Sequence, residues 1–135
     1  MKKVFLDTNF LMDYLFRDEN KGEAIKALRV GHENQCRFYT SFLSIANFAY
    51  IMRKTDRNVL LNALETLFSL MEIIDNKKAH IDSAIKLNPR DFEDGIQYAT
   101  AISKKCECII SRNKKDFSFS EIPILTPEEF VEHFN

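Results

Sequence analysis

Glycine, proline, cysteine and tryptophan are all scarce in this 135-residue chain. It contains three glycines, three prolines, three cysteines and no tryptophan. The glycines are widely separated, so they cannot form the glycine-rich phosphate loop of nucleotide-binding proteins. The composition also excludes collagen-like and linker-like chains. An odd number of cysteines in a domain of ordinary size is typical of reduced thiols, not of a disulfide scaffold, and this favours a cytoplasmic protein.

The chain also lacks an excess of charge of either sign and lacks a long hydrophobic run. Nineteen Lys and Arg residues against twenty Asp and Glu residues give a formal charge of −1. Any binding of nucleic acid must therefore come from a local basic patch. Asp7 interrupts the first apolar run before it reaches the length of a signal peptide. The apolar stretch 42–52 is shorter than the ~20 residues that span a membrane, so we expect no membrane association.

Apolar residues make up 45% of the sequence, which is enough for one hydrophobic core and predicts a single domain over residues 1–135. Their periodicity predicts short strands at 4–6, 38–40, 71–74, 108–110 and 122–125. It also predicts seven helices. The first begins after Thr8, the second runs from 21 to 30 and ends at Gly31, and the third and fourth begin at Ser41 and Asp56. The fifth runs from 79 to 87, and the last two begin at Asp91 and Thr126. This alternation indicates an α/β fold, a three-layer α/β/α sandwich around a parallel sheet of about five strands.

The carboxyl ends of parallel strands form the ligand crevice in such folds, so the residues at those ends are candidate site residues. Asp7 directly follows the strand 4–6, where by itself it is readily explained as a helix cap. Asp13 follows six residues later and is expected on the far side of the helix as a solvated acid. Asp94 lies in the first turn of a helix capped by Asp91, where acids are favoured by the helix dipole. Gly95 beside it costs about 1 kcal/mol relative to Ala, which indicates that another group approaches closely.

The loop 111–117 after the strand 108–110 is the most highly charged of these strand ends. A polar loop after a strand is common in α/β folds and needs no functional explanation. This one, however, contains three cations, one amide and one acid, in the order Arg112, Asn113, Lys114, Lys115 and Asp116. The cations are suited to phosphate groups and Asp116 to a metal ion.

A polar stripe runs along the otherwise apolar helix that begins at Ser41. Ser41, Ser44 and Asn47 are spaced at i, i+3 and i+6. A buried Asn without partners costs on the order of 1–3 kcal/mol, so the stripe either bonds to another helix or faces a polar crevice. Zinc is not expected, because no Cys and His residues occur at the spacing of a zinc site.

Three segments together resemble the PIN-domain nucleases, in particular the VapC-like toxins of bacterial toxin–antitoxin pairs. Residues 4–11 are similar to that family's first strand and acid, and residues 91–99 to its later helix, with Asp94 at the metal-binding acid. Residues 109–117 are similar to the strand and loop that carry the last acid. The resemblance extends over nearly the whole chain, with the motifs in the same order.

The resemblance implies hydrolysis of RNA phosphodiesters with Mg²⁺ or Mn²⁺. It implies catalytic and metal-binding roles for Asp7, Asp94 and Asp116. Supporting roles fall to Thr8, Asn9, Asn47, Asp91, Ser111 and Asn113. The implied contacts to RNA phosphates come from Arg112, Lys114 and Lys115. The implied partners are RNA and an antitoxin protein, and the twelve phenylalanines also suggest an apolar patch for a homodimer.

Two amides stand where the family usually has acids. Asn47 occupies the place of a Glu on the helix after the second strand, and Asn113 the place of an Asp in the last motif. A second function therefore stays open, that of a non-catalytic PIN-like module that binds RNA or protein.

Overall fold

A five-stranded parallel sheet forms the centre of the protein. The computed structural model describes residues 1–135. Its strands are β1 (Lys3–Leu6), β2 (Arg37–Ser41), β3 (Glu72–Ile74), β4 (Cys108–Ile110) and β5 (Ile124–Leu125). They pair in the order β3-β2-β1-β4-β5, and every pair is parallel. The predicted fold class and the predicted strand number are confirmed.

Seven α-helices connect and cover the strands. They are α1 (Thr8–Leu15), α2 (Asp18–Glu33), α3 (Phe42–Ile51), α4 (Arg57–Leu70), α5 (Lys78–Leu87), α6 (Phe92–Ser103) and α7 (Pro127–Glu132), with a short 3-10 helix at Lys114–Phe117. The predicted end of α2 at Gly31 is wrong, because the helix continues past it to Glu33. A side chain at Gly31 would collide with the ring of Phe38, so this glycine allows close packing and does not end the helix.

Polar side chains cap five of the seven α-helices, as the sequence predicts. The side chains of Asp7, Ser41, Asp56, Asp91 and Thr126 each accept a hydrogen bond from a backbone N–H in the first turn of the next helix. Such bonds satisfy donors that have no partner within the helix. Three of these caps stand directly at or after a strand and so fix polar side chains at the carboxyl edge of the sheet.

The core is divided by the sheet into two layers of buried side chains. Val4 and Leu6 of β1 belong to the larger cluster, together with residues of α1, α2, α3, α4 and α7. Phe5 belongs to the smaller cluster, with residues of β2, β4 and α6. Successive residues of a strand point to opposite faces, so β1 contributes to both layers. None of the helices has the length and apolar character needed to cross a bilayer.

Gly95 has a structural explanation. A Cβ atom at this position would lie 2.7 Å from Cγ of Pro89 and 3.2 Å from Cβ of Ala84. The close approach that the sequence indicates is therefore the packing of α6 against α5 and the residues that follow it.

Candidate active site

An acidic cavity of about 320 Å³ opens at the carboxyl edge of the sheet. It is lined by Thr8, Asn9, Asn47, Tyr50, Ile51, Asp91, Glu93, Asp94 and Asp116. We call this set the acidic cavity. It lies beside the ends of β1 and β4, where the strand order reverses, which is the expected ligand position in an open parallel sheet. The structure thus brings residues from four distant segments to one place.

Asp7 directly precedes Thr8 and Asn9, which line the acidic cavity, and its own side chain is buried at 5% exposure. Its Oδ1 accepts a hydrogen bond from the N–H of Phe10 at 2.9 Å. Burial raises the pKa of Asp7 to about 6, although bonds from Ser111 and Phe10 act in the opposite direction. The charges of Asp13 and Asp116 raise it further. The carboxylate is therefore held in place by the backbone while its charge is left poorly compensated.

Asp94 is half-buried and has a still higher pKa. Burial raises the pKa of Asp94 to about 7, and the charges of Asp91, Asp116, Glu93 and Asp7 add to the effect. No lysine, arginine or histidine forms an ion pair with any of these five acids. Carboxylates that repel one another without a cation favour the binding of a positive ion.

Glu93 lines the acidic cavity and was not singled out from the sequence. Burial and the charge of Asp91 raise its pKa, while the nearby amides of Asn47 and Gln97 lower it. Asn47 and Glu93 therefore lie side by side, and α6 supplies a carboxylate close to the amide on α3. Three acids within the four residues 91–94 were the available signal, because helix capping accounts for only Asp91.

The polar stripe of Ser41, Ser44 and Asn47 bonds to another helix at one end and faces a polar cavity at the other, so both alternatives from the sequence apply. The hydroxyl of Ser41 donates to Oε1 of Gln97 on α6 at 2.6 Å and accepts from the N–H of Ser44 at 3.0 Å. Asn47, at the other end of the stripe, lines the acidic cavity. The buried Oγ1 of Thr8 and the amide nitrogens of Asn47 and Gln97 have no hydrogen-bond partner. Buried polar atoms without partners are rare, so those of Thr8 and Asn47, which line the cavity, indicate a polar occupant.

The donor atoms fit a hard divalent cation. The acidic cavity offers carboxylate, amide and hydroxyl oxygens and no sulfur or imidazole, a set suited to Mg²⁺ or Mn²⁺. No group of three or more His, Cys, Asp or Glu side chains is arranged closely enough to enclose a metal ion. Asp7, Asp94 and Asp116 share one region without forming a closed shell of three carboxylates. Such a site suits Mg²⁺, which usually keeps several waters and uses only one or two carboxylates.

A basic groove of about 490 Å³ adjoins the acidic cavity. It is lined by Arg90, Arg112, Asn113, Lys114, Lys115 and Asp116, with no hydrophobic residue. Asp116 lines both the groove and the acidic cavity. Lys115 and Arg90 form no ion pair, so their charges are free to attract phosphate. Arg90 was missed in the sequence because it lies outside the loop 111–117, between α5 and α6.

Two of the cations predicted for RNA are engaged with acids of this chain. Arg112 contacts Asp13 through Nε at 3.1 Å and Glu128 through Nη2 at 3.1 Å. Lys114 forms an ion pair with Glu129 on α7. These contacts fasten the loop to the helices on either side.

The expectation that Asp13 is a solvated acid is wrong, because Asp13 is 1% exposed. It accepts bonds from Arg17 at 3.3 Å, from Asn20 at 3.1 Å and from Arg112 at 3.1 Å. The loop 111–117 covers Asp13 through Arg112. Only the folded chain reveals this cover.

Comparison with known proteins gives consistent matches. Residues 3–115 match the PIN domain family. The chain is 34% identical over 140 residues to Ribonuclease VapC1 of Aquifex aeolicus, which covers 99% of this chain and 96% of that protein.

Solved structures share the fold. A VapBC2 structure from Rickettsia felis, bound to a DNA fragment from its promoter, matches with a TM-score of 0.77 at 16% identity over 92% of this chain and 98% of the other. A toxin–antitoxin complex from Klebsiella pneumoniae matches with a TM-score of 0.68 at 25% identity over 92% of this chain and 97% of the other. The chain therefore belongs to the PIN-domain family and, within it, to the VapC-like toxins.

Proposed function

We propose that this protein is an endoribonuclease that hydrolyses RNA phosphodiester bonds with Mg²⁺ or Mn²⁺ in the acidic cavity. One observation carries the proposal. Asp7, Asp94 and Asp116 come from distant segments, and the charge of Asp116 contributes to the raised pKa of both Asp7 and Asp94. None of the three forms an ion pair with a cation of this chain. The relative from Aquifex aeolicus carries the name ribonuclease, which supports RNA as the substrate.

Asp94, Asp116 and Asp7 would hold the metal ion, with Glu93 and Asn47 as further oxygen ligands or as partners of its waters. Bound Mg²⁺ supplies a Lewis acid for the phosphate oxygens and lowers the pKa of a coordinated water. The N–H of Phe10 fixes the orientation of Asp7. The unpartnered amide of Asn47 is a neutral donor for a phosphate oxygen or a water.

Phosphates of the RNA would lie in the basic groove next to the acids. Lys115 and Arg90 bind them in this proposal, since neither has an acidic partner. Arg112 and Lys114 act on the substrate indirectly, because their ion pairs hold the loop that carries Lys115 and Asp116.

The test is cleavage of an end-labelled single-stranded RNA by the purified chain with Mg²⁺, with Mn²⁺, and with EDTA. We expect cleavage with either metal and none with EDTA. Asp94→Asn is expected to lose cleavage, while Asp82→Asn retains it as a matched control, because Asp82 is an exposed acid paired with Lys78 on α5. Equal cleavage by Asp94→Asn and the parent, with unchanged circular dichroism spectra, would contradict the proposal.

The alternative is a PIN-like module that binds RNA or protein without catalysis. It is favoured by the absence of a closed three-carboxylate group and by the amides Asn47 and Asn113. Calorimetric titration with Mn²⁺ separates the two functions. Heat of binding that Asp94→Asn abolishes supports the nuclease, and no heat at millimolar Mn²⁺ supports the binding module.

We also propose an antitoxin partner, a homodimer and a cytoplasmic location. The match to a toxin–antitoxin complex supports the first. Two apolar surfaces support two protein partners, one with Phe42 and Ile81, the other on α4 with Leu61 and Phe68. Three free buried cysteines fit a reducing compartment. Light scattering after size-exclusion chromatography tests the homodimer, and a strict monomer at high concentration would contradict it.

A further inference from the structure

Tyr50 is the only aromatic residue that lines the acidic cavity. It lies near the end of α3, one turn after Asn47, and is 65% exposed. Neither the capping of α3 nor the packing of the core requires an aromatic ring at this position.

Arg53 holds the ring from the turn that follows α3. Its guanidinium carbon lies 4.1 Å from the centre of the Tyr50 ring, and its Nη1 donates to the backbone carbonyl of Tyr50 at 2.9 Å. Arg53 forms no ion pair with an acid of this chain, so its charge is not neutralised. The stacked pair is thus ordered before any ligand binds and carries a net positive charge.

We propose that Tyr50 and Arg53 form a stacking platform that binds one unpaired base of a single-stranded RNA beside the acidic cavity. The inference deepens the proposed function and rests on RNA being the substrate. Proteins bind single-stranded RNA by stacking bases on aromatic rings and on guanidinium planes. Tyr50 is 65% exposed with the guanidinium already in place, so the rest of its ring is accessible to a base.

The stacking platform and the basic groove both adjoin the acidic cavity, and together they define a path for the RNA strand. Tyr50 lines the acidic cavity on the α3 side, and Asp116 lines it where the basic groove begins. A strand that crosses the cavity has a base on Tyr50, its scissile phosphate at the acids, and further phosphates at Lys115 and Arg90. A paired base is already stacked inside a duplex, so this arrangement selects unpaired RNA.

Binding is measured separately from cleavage in the Asp7→Asn background, by fluorescence anisotropy of an end-labelled single-stranded RNA. Adding Tyr50→Ala or Tyr50→Leu is expected to weaken binding about tenfold, within the range for loss of one stacked base. Tyr50→Phe is expected to bind as the background does, because it keeps the ring. Ile25→Ala is the control for loss of an exposed large side chain, since Ile25 is 46% exposed on α2, outside the acidic cavity and both apolar surfaces.

The salt dependence of binding distinguishes stacking from charge. The slope of log K against log salt reflects the number of phosphates neutralised, at about 0.7 per contact for single strands. Tyr50→Leu is expected to lower affinity without changing the slope. Lys115→Ala is expected to reduce the slope by about one phosphate contact.

Two results would overturn the platform. One is equal RNA affinity for Tyr50→Leu and Tyr50→Phe, and the other is an equal loss for Ile25→Ala and Tyr50→Ala. Cleavage by the chain with Asp7 intact is measured in parallel. Absent cleavage with Tyr50-dependent binding rejects the nuclease and supports the platform. Normal cleavage with Tyr50-independent binding rejects the platform alone.

Discussion

Asp7 caps α1 and Asp13 lies within it. Both are buried, and they differ in what surrounds their charge. Asp13, 1% exposed, is bonded by Arg17, Arg112 and Asn20. Asp7, 5% exposed, has only a backbone N–H and the Ser111 hydroxyl, and other acids lie nearby. The two acids have the same residue type and similar burial, so they differ in charge compensation. The compensated Asp13 stabilises the fold, whereas the uncompensated Asp7 is the one for which we propose a ligand.

The compensated acid also helps to position the uncompensated ones. Arg112 ties the loop 111–117 to Asp13 on α1, and the same loop carries Asp116 into the acidic cavity. The ion pair between Arg112 and Asp13 therefore supports the loop that completes the acidic cavity.

We expect the largest difference between Asp7 and Asp13 in the rate of RNA cleavage. Asp7→Asn should lower the rate of RNA cleavage roughly 10²–10³-fold, the range for loss of one electrostatic group at a reacting centre. Asp13→Asn should leave the rate within about tenfold at low temperature, because the charge of Asp13 is already paired with Arg17 and Arg112. Initial rates at saturating Mg²⁺ make the comparison. A greater loss for Asp13→Asn in folded protein would invert our assignment.

Stability should change in opposite directions. Asp13→Asn removes the acidic partner of Arg17 and Arg112, and it should lower the free energy of unfolding by roughly 2–3 kcal/mol. This loss is near the low end for a broken buried ion pair, because both arginines keep contact with solvent. Asp7→Asn removes an uncompensated buried charge and should raise it by about 1–2 kcal/mol at pH 7.5 without metal. Urea unfolding measures both. Destabilisation by Asp7→Asn would mean that its charge is compensated after all.

The pH dependence of stability tests the same contrast. The pKa of Asp7 is raised from 3.8 to about 6 and that of Asp94 from 3.8 to about 7, so the folded state binds more protons than the unfolded state between these values. Their contribution is fully present below about pH 4 and is lost as the pH rises through 6 and 7. Melting temperatures in EDTA should fall over this range, and less steeply in Asp7→Asn. Equal slopes in the variant and the parent would contradict the raised pKa of Asp7.

The smallest effects concern the two neighbouring lysines. Lys115→Ala should raise KM for RNA a few-fold and leave stability unchanged, because Lys115 has no acidic partner. Lys114→Ala removes an exposed pair with Glu129 and should cost less than about 1 kcal/mol of stability, with little change in KM. Steady-state kinetics and thermal melts decide the comparison. A larger KM effect for Lys114→Ala would reassign the phosphate contact.

Local patterns explain what could be read from the sequence. The strand at Cys108–Ile110 matches the prediction, as do the caps at Asp7, Ser41 and Thr126, because a short apolar run and a capping side chain depend on neighbours in the chain. Gly31 was misread because the ring of Phe38, a contact across the fold, requires its small size. Arg90 was missed because nothing near it in sequence distinguishes it from a solvated charge. Glu93 was missed because an acid in the first turn of a helix is already explained by the helix dipole.

The sequence by itself determined the alternation of strands and helices, and it indicated Asp7, Asp94 and Asp116 as acids at strand and helix ends. Only the tertiary structure decided which acids are left without a cation, since that depends on where Arg112 and Lys114 find partners on α1 and α7. Hydrophobic periodicity is a property of neighbouring residues, whereas the balance of charge in a cavity is set by side chains brought together from distant segments.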